Sequence, residues 1–272
     1  MKNSIGIAVA TLICALHFVW SGQVQADTIY QTGFENPPFT LGPIAGQDGW
    51  NVFSAGGTPN AVTIQNAVSF AGSQAVEIDR SAASGQTGPF RADQSPASDK
   101  IVTMQVEAML TSSTEQSWWQ FGGLSAAPGL PFIGEFNPMP NGTIQIITPG
   151  FPVTSTPVIT RDEWELWQVV YNFTTQSFDI FINHSLVASN EPFVTPASAF
   201  GGGIFDTFNT VGGNDRGYFD NYSITGSAVP EPGSFVLLGT GCLLLLVLAK
   251  VKNRRTLGGL ESGYCKTGEV RS

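Results

Sequence analysis

The segment Ile101 to Leu110 constrains the fold of this chain more than any other part, because its apolar residues recur at every second position. Apolar side chains occupy each even-numbered position from Val102 to Leu110, whereas Thr103, Gln105 and Glu107 lie between them. A period of two is the period of a β-strand, and helices repeat at 3.6 residues. The segment therefore predicts a strand with one face in a core and the other in water.

A β-hairpin is predicted shortly after the middle of the chain. Residues 164–173 and 178–183 read as strands, and the Thr174 to Ser177 stretch between them reads as a turn. The apolar set of the second strand is Phe178, Ile180 and Ile182, which alternates with Asp179 and Phe181.

More short strands follow the same pattern, and no segment shows a convincing amphipathic helix. They are residues 61–65, 75–78, 118–124, 143–148, 203–208 and 217–225. Gly, Pro, Asn, Ser and Thr separate all of them, and no internal repeat is evident. The predicted fold is all-β, an antiparallel sandwich or barrel, and we favour the β-sandwich.

The N-terminal segment, residues 1–26, has the order of a secretory signal peptide. Lys2 precedes an apolar run from Ile5 to Trp20, and small residues end the segment at Ala26. We expect a signal helix, handled by the secretion translocon and signal peptidase, and a mature chain that begins at Asp27. The alternative is an uncleaved N-terminal anchor.

The C-terminal segment, residues 229–255, is predicted to contain a second hydrophobic helix at 235–249, which is followed by basic residues. A polar tail follows the segment at residues 256–272. An apolar helix of about 15 residues is roughly 22 Å long, which is short for a hydrocarbon core of about 30 Å. The basic cluster favours the cytoplasmic side, so the tail is predicted to be cytoplasmic and residues 27–228 to form an extracytoplasmic domain.

This arrangement resembles the PEP-CTERM sorting signal of Gram-negative bacteria. The residues that carry the resemblance are Pro230, Glu231, Pro232, Lys250, Lys252, Arg254 and Arg255. The resemblance implies a transient inner-membrane anchor, recognition by an exosortase, and release to the cell surface or extracellular matrix. The tail beyond the basic cluster departs from the usual signal, and the alternative is a single-pass protein whose anchor is never cut.

The composition of residues 27–228 excludes several functions. Acidic residues outnumber the basic residues there, and the whole chain has a net charge of −9, so nucleic acid is not an expected partner. The three cysteines, Cys14, Cys242 and Cys265, all lie outside this region. The domain therefore has no disulfide framework, thiol nucleophile or zinc-thiolate site.

The predicted domain also lacks convincing catalytic residues, so we expect no enzyme activity. His184 is its single histidine and is predicted to be a solvated turn residue. Glycoside hydrolysis needs only two carboxyl groups, but Glu163 and Glu165 are better interpreted as solvent-facing charges at a strand start. A secreted glycan-active hydrolase of concanavalin A-like fold remains the alternative.

The central domain also resembles laminin-G and concanavalin A-like jelly rolls. Phe34-Glu35, the predicted hairpin and the segment Tyr218 to Asn221 carry that resemblance. It implies that the first and last strands are neighbours and that Glu35 and Asp220, with Asp215, are candidate ligands of a structural Ca²⁺.

Trp118 and Trp119 are the candidate sugar platform, because neighbouring strand residues point to opposite faces and one indole must face outward. Core packing is the alternative for both indoles. The sequence thus predicts an exported, non-catalytic β-sandwich that binds extracellular polysaccharide or another envelope component. A structural surface protein without a ligand is the other reading.

Overall fold

A computed structural model describes residues 26–55, 58–82, 85–95, 99–114, 116–150, 152–208 and 213–227. The predicted signal helix, the hydrophobic helix at 235–249, the sorting motif and the tail lie outside these residues. Within the described part of the chain, no helix is both long and apolar enough to cross a membrane.

Almost all regular structure in the described residues is β-strand. The strands are β1 (Asp27–Thr32), β2 (Gly42–Pro43), β3 (Trp50–Ala55), β4 (Val62–Gln65), β5 (Ala75–Asp79), β6 (Gln86–Arg91), β7 (Ile101–Leu110), β8 (Trp118–Ser125), β9 (Phe132–Pro138), β10 (Ile144–Ile147), β11 (Val153–Thr154), β12 (Glu165–Asn172), β13 (Ser177–Ile182), β14 (Ser185–Pro192), β15 (Phe200–Phe208) and β16 (Arg216–Ser227). Two single-turn 3₁₀ helices, Pro59–Ala61 and Arg80–Ala82, interrupt them.

The strands form two antiparallel sheets. The nine-stranded sheet has the order β14-β13-β12-β7-β16-β5-β4-β2, with β1 also paired to β16, and the seven-stranded sheet has the order β11-β10-β9-β8-β15-β6-β3. Aromatic side chains from both sheets meet between them, as where Phe205 of β15 stacks on Phe219 of β16 at 4.2 Å. The predicted antiparallel β-sandwich is confirmed.

Strand β7 lies near the centre of the nine-stranded sheet and has the predicted bounds. Its even-numbered apolar residues are all buried, and its odd-numbered residues are only partly covered. Strands β12 and β13 form the predicted hairpin, with Trp167 opposite Ile182 and Asn172 opposite Ser177. Period-two patterning therefore located the core of this sheet.

The first and last strands are neighbours, as expected. Asp27 of β1 pairs with Gly226 of β16, and Thr32 pairs with Tyr222. Strand β5 pairs with the other end of β16, from Arg216 to Phe219, so β1 and β5 share one edge of β16. The ladder between β16 and β7 is irregular at Asp220 to Ser223, close to the point where the two short strands meet.

Candidate functional site

The outer face of the seven-stranded sheet carries polar and aromatic side chains on adjacent strands. Trp119, Phe136 and Phe205 point into the sandwich, where they contact aromatic rings of the nine-stranded sheet. Since strand side chains alternate, the neighbouring residues Gln120, Glu135 and Asp206 point to the opposite face. That face is the candidate site.

Four side chains form a row across this face, one from each of the adjacent strands β6, β15, β8 and β9. The row, called here the acid-amide row, consists of Gln86, Asp206, Gln120 and Glu135. Gln86 Nε2 donates to Asp206 Oδ2 at 2.8 Å and lies 3.5 Å from Gln120 Oε1. Gln120 Nε2 in turn donates to a carboxylate oxygen of Glu135. The two carboxyl groups are thus joined through two amides.

Glycines lie beside both carboxyl groups in the neighbouring strands. Gly122 of β8 pairs with Glu135, and the register of β6 and β15 places Gly88 opposite Asp206. A Cβ atom added at Gly122 would overlap Glu135 Cβ, and one added at Gly88 would overlap Asp206 Cβ. Larger residues at either position would therefore displace the acids from the row.

Polar atoms of this face remain without partners despite their burial. Asp206 is 0% exposed and Asn137, two positions after Glu135 on the same face, is 2% exposed. Within the described structure, Asp206 Oδ1 and Asn137 Oδ1 have no hydrogen-bond partner. Such atoms carry a cost of about 1–3 kcal/mol each, which a ligand donor that reached them would remove.

Both acids of the row bind protons more tightly than ordinary carboxyl groups. Burial raises the pKa of Asp206 to about 8, against the lowering effect of the Gln86 hydrogen bond, and the nearby charge of Glu135 adds to the rise. Burial also raises the pKa of Glu135 to about 7, although the hydrogen bond from Gln120 acts in the other direction. Near neutral pH the row therefore contains protonated carboxyl groups that can donate hydrogen bonds.

An apolar pocket of about 300 Å³ lies on the same face. Its walls include Phe53, Phe90, Leu124, Leu130, Phe132 and Ile204. Ile204 is two positions from Asp206 on β15, and Leu124 is four positions from Gln120 on β8, so the pocket adjoins the row. Phe53 is 39% exposed and borders the pocket from β3.

Trp118 lies on the other side of the row. It is 36% exposed, whereas Trp119 is fully buried against Phe219, so the structure separates the two indoles in the way that strand alternation predicts. Trp118 precedes Gln120 by two positions, a distance of about 7 Å along β8. From Trp118 through the row to Leu124 the face extends about 20 Å, which is long enough for a short oligosaccharide.

Glu35 and Asp220 come together, but their oxygens already accept hydrogen bonds from the loop of residues 66–74, called here the clamped loop. Asp220 Oδ2 accepts from the backbone N–H groups of Phe70 and Ala71 at 3.0 and 3.1 Å. Glu35 Oε1 accepts from the N–H groups of Ser73 and Gln74 at 2.7 and 3.0 Å, and Oε2 accepts from the Ser73 hydroxyl. The pair fixes a loop between β4 and β5.

The electrostatics of the two acids differ. Burial acts to raise the pKa of Glu35, but the hydrogen bonds from Ser73 and Gln74 outweigh it and hold that pKa below its ordinary value. Burial raises the pKa of Asp220, and the charge of Glu35 adds to the rise, against the hydrogen bonds of Phe70, Ala71 and Asn221.

Asp215 is not brought to Glu35 and Asp220. Its carboxylate is fully buried, where it accepts from Ser117 N and from Trp119 Nε1 at 2.8 Å and pairs with Arg161 at 3.1 Å. Among the described residues, no group of three or more His, Cys, Asp or Glu side chains is arranged to hold a metal ion. The calcium site remains a prediction, with only two of its three named residues near each other.

The remaining acids and the histidine have clear positions. His184 is exposed in the two-residue turn between β13 and β14, where it and Asn183 have positive φ angles, as that turn type requires. Glu163 is exposed, but the expectation that Glu165 faces solvent is wrong. Glu165 is 4% exposed and accepts from Thr160 N at 2.8 Å, because it covers the end of the core beside Trp167.

Glu135 and Asp206 were not among the site residues predicted from the sequence. Each has an aromatic residue beside it, in Gly134-Glu135-Phe136 and Phe205-Asp206-Thr207. A lone acid inside an otherwise apolar strand was the available signal. It identifies an outward position but does not show that two such acids share a hydrogen-bond row.

Fold and site together define a two-sheet antiparallel β-sandwich whose outer sheet face carries a buried polar row beside the partly exposed Trp118. No protein-family model matches the sequence, and no curated protein matches it either. Among solved structures, the chain is similar to a sialidase, with a TM-score of 0.53, 10% identity, and coverage of 73% of this chain and 18% of the sialidase chain. That likeness shows the fold alone.

Two further structures share less of the geometry. One is the cellulose induced protein Cip1, with a TM-score of 0.48, 13% identity, and coverage of 72% of this chain and 96% of that one. The other is the carbohydrate recognition domain of Emp47p, with a TM-score of 0.48, 9% identity, and coverage of 75% and 98%.

Proposed function

We propose that this protein binds glycans, without catalysis, through the outer face of its seven-stranded sheet. The observation that carries the proposal is the acid-amide row, which lies between the exposed Trp118 and an apolar pocket. Sugars present hydroxyl groups at their edges and C–H groups at their faces, so they require hydrogen-bonding side chains beside flat apolar surfaces. This face offers both within about 20 Å.

A strand-borne site of this kind suits an extended ligand. The row, Trp118 and most of the pocket lie on β6, β8, β9 and β15, whose backbone is held by paired ladders. Phe53 is added by β3, and Leu130 by the loop between β8 and β9. Side chains on paired strands lose little freedom when a ligand binds, which reduces the entropic cost of binding. Polysaccharide of the extracellular matrix is the ligand class that we propose.

Glycoside hydrolysis is the second candidate, and Glu135 with Asp206 is the observation that favours it. Glycosidases use two carboxyl groups, of which one is kept protonated as the general acid. Burial raises the pKa of Glu135 to about 7, which meets that requirement. The sialidase named above does not decide the matter, because this chain spans only 18% of it.

A glycan array probed with the purified protein tests the proposal. We expect retention of a subset of glycans, and a loss of about fivefold in affinity for Trp118→Ala, since aromatic stacking contributes on the order of 1 kcal/mol. Phe70→Ala is the matched control, because Phe70 is 46% exposed but belongs to the clamped loop beside the other sheet. Retention that is unaffected by Trp118→Ala would move binding away from this face.

The same incubation separates binding from hydrolysis. Retention without new reducing ends supports a binding protein, whereas reducing ends that disappear in Glu135→Gln would establish the hydrolase. If no glycan on the array is retained, the result would favour a structural surface protein without a ligand.

We further propose that the protein is exported and then sorted to the cell surface or matrix by an exosortase. The support is the sequence: residues 1–26 have the order of a signal peptide, and residues 229–255 contain the Pro230-Glu231-Pro232 motif, an apolar segment and a basic cluster. Mass spectrometry of the mature protein tests both cleavages.

A further inference from the structure

We propose that the outer face selects uncharged oligosaccharides and rejects acidic ones, because its polar centre is a buried pair of carboxyl groups and the described strands of the sheet place no cation beside it. This inference rests on the proposed glycan binding and names its ligand class. It concerns Glu135 and Asp206 as residues that set the charge preference of the site.

The seven strands of this sheet carry almost no positive charge. Arg91 of β6 is their single basic residue, and it lies on the inner side, where its guanidinium is 3.8 Å from the Tyr30 ring centroid and pairs with Asp93 at 2.8 Å. The ionisable residues of the outer face within these strands are Glu135 and Asp206. An anionic ligand would find no cationic partner among these side chains and would be repelled by any ionised carboxyl group.

The row also has vacant hydrogen-bonding capacity of the kind that sugar hydroxyls fill. Asp206 Oδ1 and Asn137 Oδ1 are buried and have no hydrogen-bond partner in the described structure. Gln86 is only half-buried, and its amide is oriented by its bond to Asp206 Oδ2 at 2.8 Å. A hydroxyl group can donate to Asn137 Oδ1, and it can donate to or accept from the Asp206 carboxyl group, without bringing a charge. A carboxylate brings a charge and cannot donate.

Binding of an uncharged ligand should also weaken as pH rises. The titratable groups that face the pair are the two carboxyl groups themselves and, from the core side, the Tyr171 hydroxyl of β12, which donates to Gly134 O at 3.0 Å. A ligand oxygen that accepts a hydrogen bond from a protonated carboxyl group of the row stabilises the protonated form. By linkage, the protonated state then binds better, so affinity falls as pH rises through both pKa values.

The experiment is calorimetric titration of the full-length protein with uncharged cello-, laminari- and xylo-oligosaccharides and with acidic oligogalacturonate and sialyllactose. We expect an uncharged probe to bind and both acidic probes to fail. For the uncharged probe we expect affinity to fall about tenfold between about pH 6 and about pH 9. A fall of this size corresponds to the loss of roughly one hydrogen bond between the ligand and the row.

Matched variants assign the effect to the pair. Asp206→Asn and Glu135→Gln keep the size of the side chain and remove ionisation, so each should flatten the pH dependence. Glu163→Gln removes an exposed acid beyond this sheet and should leave it unchanged. A circular dichroism melt of each variant establishes that it is folded before titration.

The outcomes distinguish this inference from the proposed function. Tighter binding of an acidic probe than of any uncharged one would overturn the charge preference while glycan binding stands. The same pH slope in wild type and in both amide variants would also overturn it. Binding of no probe would overturn glycan binding itself.

Discussion

Asp215 shows what a single buried acid contributes to this fold. It is 0% exposed, accepts from Ser117 N and Trp119 Nε1, and forms an ion pair with Arg161. Asp215→Ala would leave the Arg161 guanidinium and the Trp119 indole N–H without that acceptor. We expect a loss of about 3–5 kcal/mol in the free energy of unfolding, measured by urea denaturation.

Asp79→Ala is the control for that variant. Asp79 pairs with Arg216, whose side chain is 46% exposed, and solvent screens such a pair. Its removal should cost on the order of 1 kcal/mol or less. Equal losses for the two variants would contradict the role that burial gives Asp215.

Protonation of Asp206 and Glu135 makes the stability of the protein depend on pH. Burial raises the pKa of these carboxyl groups to about 8 and about 7, above their ordinary values of 3.8 and 4.5. The folded state therefore holds protons that the unfolded chain has released, and stability present at about pH 4 is lost as pH rises towards about pH 8. We expect the contribution of the pair to fall by a few kcal/mol over that window.

Asp206→Asn tests the prediction. The variant should unfold at a higher temperature than wild type at about pH 8, with a smaller or absent advantage at about pH 4, because an amide does not ionise. Thermal melts at the two pH values measure this. An advantage of equal size at both pH values would refute the pH mechanism.

Sequence reasoning at the residue scale was accurate where alternation alone decides the answer. It predicted that Trp118 and Trp119 face opposite ways and that His184 lies in an exposed turn. It failed for Glu165, because burial of an acid depends on a backbone N–H that the fold brings from Thr160. It also missed Asp206, whose partners Gln86 and Gln120 are distant in sequence.

The clamped loop, residues 66–74, is the element whose order depends most directly on two carboxylates. Glu35 alone accepts three hydrogen bonds from Ser73 and Gln74. Glu35→Ala should therefore cost about 1–2 kcal/mol and speed amide exchange at these two residues. Hydrogen exchange measures the effect, and the exposed Glu163→Ala provides the control. Uniform acceleration over both sheets would show that Glu35 stabilises the whole fold instead.

Calcium binding is the other role that was predicted for Glu35 and Asp220, together with Asp215. Because Glu35 and Asp220 already accept hydrogen bonds on all four carboxylate oxygens, and Asp215 lies elsewhere, we expect the same unfolding midpoint with Ca²⁺ and with EDTA. A ligand that binds only the folded state would raise the midpoint. Calorimetry that shows a higher midpoint with Ca²⁺ would restore the calcium site.

Strands were predictable where their apolar residues alternate without interruption. Strand β7 has its predicted bounds. Each end of β12 and of β13 lies one residue from its predicted position. Strands β6 and β9 were not predicted, since Gly88-Pro89 and Gly134 with Pro138 read as turn signals. Tertiary pairing overrides those signals, and these two strands, which are among those that were not predicted, both contribute to the candidate site.

At the scale of the whole molecule, a pattern of two-residue periods specifies a sandwich but not the order of its strands. The sequence offered no local sign that β6 would lie beside β15, more than a hundred positions later. The acid-amide row depends on that order, since its four residues come from four strands adjacent in space. Because the strand order could not be predicted from the sequence, the acid-amide row could not be predicted either.

The ends of the domain lead to the last prediction. Asp27, the predicted first residue of the mature chain, pairs with Gly226, and β16 ends at Ser227, shortly before Pro230. Cleavage after Ala26 and near Pro230 would leave every described strand intact. We therefore expect mass spectrometry of the protein from its native envelope to show a chain that begins at Asp27 and ends near Pro230, and its unfolding midpoint to match that of a chain engineered to those ends. A mature species that retains Arg255 and the tail would instead define a resident membrane protein.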